Sequence, residues 1–354
     1  MDLNSVLQYA VDQKAADVFI VAGRPLSLRV KNDIIMYNDE PLMPDDTLYL
    51  LTQIYSMAHR DISKVEKHGD DDFSFAIAGV SRFRVNAFKQ RGSLAAVIRI
   101  ITFNLPRAEE LSIPPYLMEL TKANNGIVLV TGPTGSGKST TLATMIDRIN
   151  KTQNKHIITL EDPVEYLHKH DKCLVSQREI NIDTESYVTA LRASLRQSPD
   201  VILLGEMRDF DTISVAMTAA ETGHLIFSTL HTIGAANTID RIIDVFPPEQ
   251  QHQIAVQLSM VLNAVISQQL VPDVHGNIIP VFEIMTCTPA IRNMIRENKI
   301  PQIEGQLYSS MKEDMISMDS ALLRLYQQGQ ITAETAVNFA TNPEMLSKKV
   351  NLGF

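Results

Sequence analysis

Cysteine is scarce in this sequence: Cys173 and Cys287 are the two in 354 residues. Their spacing fits neither a metal-ligand pattern nor a disulfide framework, so both read as thiols of a reducing cytoplasm. Long apolar runs are missing as well. No stretch approaches the roughly 18 uninterrupted apolar residues of a membrane span, which leaves any work at a membrane to partners. The opening residues MDLNSVLQYAVDQ carry an early Asp and no apolar core, unlike a signal peptide. There is no surplus of positive charge: 32 Lys and Arg stand against 41 Asp and Glu, a formal net charge of −9. Coating a phosphate backbone calls for the opposite sign, so nucleic acid is not an expected partner.

What remains is an ordinary globular composition, 45% hydrophobic and 21% charged, at a length that suits two domains. Leu3, Val6, Leu7, Ala10 and Val11 recur at helical spacing and predict an amphipathic helix. The runs DVFIVAG, PLSLRV, DFSFAIAG, RFRVNAFKQ and LAAVIRIIT then read as strands punctuated by Gly, Pro and Asn. Residues 1–105 are therefore expected to form a small α+β domain with an antiparallel sheet. Three prolines in NLPRAEELSIPPYL mark a linker over 106–118. Beyond it, GIVLVTG, HIITLED, DVILLGE and HLIFST are short apolar runs separated by helical segments, the pattern of buried parallel strands in an α/β domain over 119–354. From about 286 onward the chain reads as helical and rich in Met.

The chemistry concentrates in this second half. GPTGSGKST, residues 132–140, matches G-x-x-x-x-G-K-[ST] between a strand and a helix, the context that motif needs. Gly132, Gly135 and Gly137, with Pro133, Thr134 and Ser136 between them, let backbone N–H groups turn toward an anion at a helix N-terminus. Lys138 can reach the β- and γ-phosphates, and Ser139, next to Thr140, can ligate Mg²⁺. ATP and Mg²⁺ are thus the expected cofactors. A second strand, PDVILLGEMRD, should end in an Asp that handles metal and water, but Gly205 occupies that place and Glu206 follows. IITLEDPVEYLH supplies Glu161, Asp162 and Glu165 at the end of a further strand, so these acids become candidates for metal and water chemistry. His224 and His231 bracket the strand in GHLIFSTLHT; seven residues apart with no Cys nearby, they make a poor zinc pair, and either could sense the γ-phosphate.

Taken together, GPTGSGKST, EDPVEY, LLGEMRD and GHLIFSTLHT resemble the four motifs of the ATPases of type II and type IV secretion and type IV pili. The resemblance covers nearly the whole chain and is nearest to the twitching-motility, or pilus-retraction, branch. The N-terminal region is short, the four-cysteine zinc loop of many extension and secretion ATPases is absent, and AIRNMIRE (residues 290–297) is similar to the retraction branch's AIRNLIRE, with Met at 294. The stretch GQLYSSMKEDMISMD departs from the Gly-rich sequence that relatives carry near 305–315.

The resemblance implies a PAS-like N-terminal domain, a RecA-like P-loop motor domain with C-terminal helices, and a homohexameric ring at the cytoplasmic face of the inner membrane. It further implies an inner-membrane platform protein and the pilus machinery as partners, and an accessory retraction ATPase that could share the work. Arg84 and Arg99 correspond to arginines placed near the γ-phosphate, with Arg82 a competitor and Arg192 and Arg196 candidates for subunit boundaries. Glu165 or Glu206 would deprotonate water, with Glu165 favoured over Glu161 and Asp162 within its box. Ser139 and Glu206 would hold the metal. A pilus-extension or type II secretion ATPase is the alternative within the family. A RecA-like nucleic-acid translocase is the alternative outside it.

Overall fold

The computed structural model describes residues 2–31, 33–101, 105–310, 312 and 314–350. The chain divides into two compact units: Met1–Asn104 with Glu165–Leu167, and Leu105–Val164 with His168–Phe354.

The first unit contains α1 (Leu3–Asp12), β1 (Ala15–Ile20), β2 (Pro25–Val30), β3 (Asp33–Pro41), α2 (Pro44–Met57), α3 (Ser63–His68), β4 (Asp70–Ile77), β5 (Ser81–Gln90) and β6 (Ser93–Ile101). Its strands form one antiparallel sheet in the order β3-β2-β1-β6-β5-β4. Strand alternation sorts the two faces. Phe83, Val85 and Ala87 of β5 join Ile98 and Ile100 of β6, Phe73 of β4 and Leu50, Leu51 and Ile54 of α2 in the core. The intervening residues face away from it. On that outer face, Ser74, Arg84, Arg99, Asp17 and Arg29 stand directly opposite one another across β4, β5, β6, β1 and β2.

The second unit runs α4 (Pro115–Glu119), β7 (Gly126–Thr131), α5 (Lys138–Thr152), β8 (His156–Glu161), β9 (Leu174–Glu179), α6 (Tyr187–Ser194), β10 (Val201–Leu204), α7 (Phe210–Glu221), β11 (Leu225–Leu230), α8 (Ala235–Asp244), α9 (Pro248–Val261), β12 (Leu262–Pro272), β13 (Ile278–Thr286), α10 (Pro289–Arg296), α11 (Pro301–Ser309), β14 (Met315–Ile316), α12 (Met318–Gln327), α13 (Ala333–Asn338) and α14 (Pro343–Lys349). The sheet order is β14-β13-β12-β7-β11-β10-β8-β9. The pairs from β12 through β9 are parallel, and β13 and β14 are antiparallel additions.

β7, β10 and β11 are buried throughout, because helices cover both faces, as parallel sheets require. One face packs Leu142, Met145, Ile146 and Ile149 of α5 over Val128, Val130 and Phe227. The other packs α6, α7, α8 and α9 over Leu129, Ile158, Ile202 and Ile226. The proline-rich segment expected as a linker contributes Ile113 and Leu117 to this unit's core, so it is packed chain. Among the described residues no helix is long and apolar enough to cross a membrane.

Candidate active site

The phosphate loop connects β7 to α5. Gly137 (φ 87°) and Gly135 (φ 80°) take left-handed backbone, which glycine adopts without a Cβ penalty. Gly132 is fixed by space too: a Cβ there would stand 2.2 Å from the Gln268 carbonyl oxygen and 2.9 Å from Ser136 Oγ. Lys138 opens α5 with a buried side chain, and its ammonium donates to the carbonyls of Gly132 and Pro133, each at 2.9 Å. Thr141 Oγ1 donates to Gln268 Oε1 at 2.8 Å, tying the helix to β12. Ser136 Oγ and Thr131 Oγ1 are buried and find no hydrogen-bond partner among the described residues. Buried hydroxyls without a partner, a lysine and a helix N-terminus at one loop fit a polyphosphate, which would satisfy all three.

The acids gather at the same carboxyl edge of the sheet, where open α/β sheets bind ligands. Glu161 ends β8 and Asp162 follows; Glu206 lies two residues beyond β10; His231 follows β11 directly. Glu206 is mostly buried, and its Oε2 receives Arg208 Nε at 2.5 Å and faces His231 Nε2 at 3.4 Å. β11 holds the end of β10 in place: Thr229 Oγ1 donates to the Gly205 carbonyl at 2.6 Å, and the Met207 amide donates to the Thr229 carbonyl at 3.1 Å.

Tyr187, the first residue of α6, sets its hydroxyl against Gly205. Burial, together with the charges of Glu206, Asp162 and Glu161, pushes its phenol far above the ordinary tyrosine range, while Arg208 pulls the other way. The oxygen donors Ser139 and Glu206 suit a hard cation. Among the described residues no group of three or more His, Cys, Asp or Glu could hold a metal alone. An Mg²⁺ here would take its remaining ligands from phosphate and water.

This edge holds a phosphate cradle and an oriented carboxylate in one nucleotide-binding fold. The model of the type II/IV secretion system protein family matches residues 1–278. The chain belongs to that family of ATPases.

Among curated members, the type IV pilus retraction ATPase PilT of Pseudomonas aeruginosa is 44% identical over 344 residues, 97% of this chain and 99% of that protein. A twitching motility protein of Neisseria gonorrhoeae is 44% identical over 97% of this chain and 91% of its own length. A crystal structure of the pilus retraction motor PilT with bound ADP superimposes with a TM-score of 0.90 at 45% identity, over 98% of this chain and 99% of that one.

The structure sorts the site residues of this family member into groups. Within the second unit, Glu161, Asp162 and Glu206 act together on Tyr187, and His231 joins them through Glu206. Glu165 is solvent-exposed and groups with the first unit, so within the second unit the acids around Tyr187 do not include it. His224 does not share the edge with His231. It precedes β11 while His231 follows it, which separates them by ~20 Å of strand, and its Nδ1 lies 2.9 Å from the Ala219 carbonyl near the end of α7. A strand six residues long with a histidine at each end cannot bring both to one site, so His224 is corrected to a helix-end contact.

In the first unit, Arg84 and Arg99 are direct cross-strand neighbours. Like charges so placed repel, and each has its own carboxylate. Arg84 makes a two-pronged pair with Asp72, at 3.1 and 2.6 Å, and Arg99 Nε reaches Asp17 at 3.0 Å. Arg82 donates to Ser74 Oγ at 2.6 Å. Arg192 and Arg196 are exposed on and just after α6. Sequence reasoning missed Gln268, Thr229 and Tyr187. None belongs to a motif; the one signal was the glycine at 205, which marks a vacancy without naming what fills it.

Proposed function

We propose that this chain is the motor that retracts type IV pili in twitching motility, a homohexameric ring at the cytoplasmic face of the inner membrane. The likeness to retraction ATPases along the whole chain, at matching length, carries this reading. The AIRNMIRE segment supports it: α10 buries Ile291 and Ile295 and leaves Asn293 and Arg296 exposed. In this reading the ring acts through an inner-membrane platform protein and the pilus machinery, and an accessory retraction ATPase can share the load.

ATP lies on the 132–140 loop, with its phosphates against the backbone N–H groups at the start of α5. Lys138 exchanges its two carbonyl partners for phosphoryl oxygens and stabilises the charge that develops there. Ser139 and Glu206 would hold an Mg²⁺, which bridges β- and γ-oxygens and neutralises charge when bound. Glu206, restrained by Arg208 and His231, orients the attacking water. Glu165 is the favoured proton acceptor, with Glu161 and Asp162 shaping the turn. Arg84 and Arg99 neutralise the γ-phosphoryl group.

Deleting the gene tests the biological reading: retraction loss leaves cells with extra pili and no twitching, whereas loss of an extension motor leaves them bald. Complementation by the native chain but not by Lys138→Ala is expected. Rates for Glu161→Gln, Asp162→Asn and Glu165→Gln test the choice of acceptor, which fails if Glu165→Gln turns over normally.

A further inference from the structure

Gly205 stands where a carboxylate ends the corresponding strand in other P-loop proteins. Its backbone lies outside the left-handed region, so conformation does not demand glycine there. Space does. A Cβ at 205 would meet the Tyr187 hydroxyl oxygen at 2.7 Å, the Leu160 carbonyl at 3.2 Å and Tyr187 Cζ at 3.4 Å. The first separation is shorter than real Cβ contacts, and the rest of the phenol ring stands behind it.

The ring has little room to withdraw. Tyr187 is anchored at the first position of α6 by the Ser186 cap and packs against the second unit's core. Gly205 is fixed from both sides: its amide donates to the Leu160 carbonyl at 2.8 Å, and its carbonyl accepts from Thr229. The phenol oxygen therefore fills the volume in which an aspartate side chain at 205 would lie, between the acidic end of β8 and Glu206.

A phenol there differs from a carboxylate in two ways. It is neutral, so it adds no negative charge beside bound phosphates. It also has a proton to donate, and the groups around it are acceptors. Glu206, Asp162 and Glu161 all bear on the hydroxyl, and together they hold it protonated. A donor hydrogen-bonded to a carboxylate favours the ionised form.

We propose that Tyr187 is a positioning residue for ATP hydrolysis: its hydroxyl replaces the missing aspartate and donates into the carboxylate set that handles the attacking water. The inference rests on the reading that Glu206 orients that water.

Tyr187→Phe removes the one oxygen and keeps the ring. Its steady-state hydrolysis should fall about tenfold in kcat, the scale of one hydrogen bond to a charged group. KM and the affinity for a fluorescent ADP analogue should stay within about twofold, since the lost contact is not with the ground-state nucleotide. The acid limb of the kcat/KM profile should move to higher pH, because the carboxylates lose a donor. A packing role alone would leave that limb in place.

The nucleotide-free protein provides a second readout. Gly205→Ala should lower the melting temperature of the native chain, and Tyr187→Phe should relieve most of that loss in the double variant. Native kcat and an unmoved acid limb in Tyr187→Phe, or strictly additive melting shifts in the double variant, would overturn the proposal. Glu206→Gln separates the two levels. If it hydrolyses ATP normally, the reading of Glu206 and the role of Tyr187 both fail. If it is inactive while Tyr187→Phe is native-like, only the role of Tyr187 fails.

Discussion

The phosphate loop and the acid cluster lie along one edge of one sheet, yet the chain builds them by different means. The loop is nine consecutive residues, 132–140, whose shape follows from glycines and a helix start. One distant residue, Gln268, closes it from β12. The acid cluster draws Glu161, Tyr187, Glu206, Thr229 and His231 from four strand ends and the start of a helix. A local site tolerates change elsewhere and fails when its own backbone is blocked. An assembled site degrades in steps as each neighbour is removed.

That contrast can be broken or sharpened by substitution. The largest effect belongs to the assembled site's central acid. Glu206→Gln should lower kcat by about 10²–10⁴, the range of general acid–base contributions, while ADP binding by calorimetry stays near native. Normal turnover would remove Glu206 from the chemistry.

Next comes the loop. Gly132→Ala puts a methyl group 2.2 Å from the Gln268 carbonyl at φ 139°, and should cost about 1–3 kcal/mol in denaturant unfolding besides weakening nucleotide binding at least tenfold. Native-like binding would show that the cradle can open toward β12.

A smaller loss is expected from Thr229→Val, which keeps the shape of the side chain but withdraws its donor from the Gly205 carbonyl. About 1 kcal/mol of stability and a few-fold loss in kcat should follow, with nucleotide affinity unchanged. A change in affinity instead of kcat would mean the two regions are coupled through β11.

The smallest effect tests ground outside both. Burial holds the His168 imidazole below its ordinary value of 6.5. The folded state then binds fewer protons than the unfolded state, so stability present above about pH 6.5 is lost as pH falls below it. His168→Gln should flatten that slope in melting curves without altering turnover at neutral pH.

Much of the fold was legible because its strands carry strong patterns. Residues 126–131, 201–204 and 225–230 are apolar throughout, as burial on both faces demands, and the alternation in 81–90 set Phe83 and Val85 against Arg82 and Arg84. Less legible was β3, an edge strand whose residues are nearly all exposed, so that no face imposes a period on them. The antiparallel addition of β13 beyond β12 was not read either, since its pairing depends on the neighbouring strand. The linker reading rested on prolines, yet Ile113 and Leu117 supply core contacts that composition does not reveal.

The sequence by itself determined the phosphate loop, the family and the placing of acids after two strands, because contiguous residues and short-range backbone preferences carry that information. It also exposed the missing aspartate at 205. Tertiary structure alone decided how the vacancy is filled and which partners stand beside it. Strand order brings β8, β10 and β11 side by side, strand direction sends His224 to one end and His231 to the other, and the start of α6 delivers a phenol to Gly205. Those are long-range packing outcomes, and a reading along the chain has no distance in which to measure them.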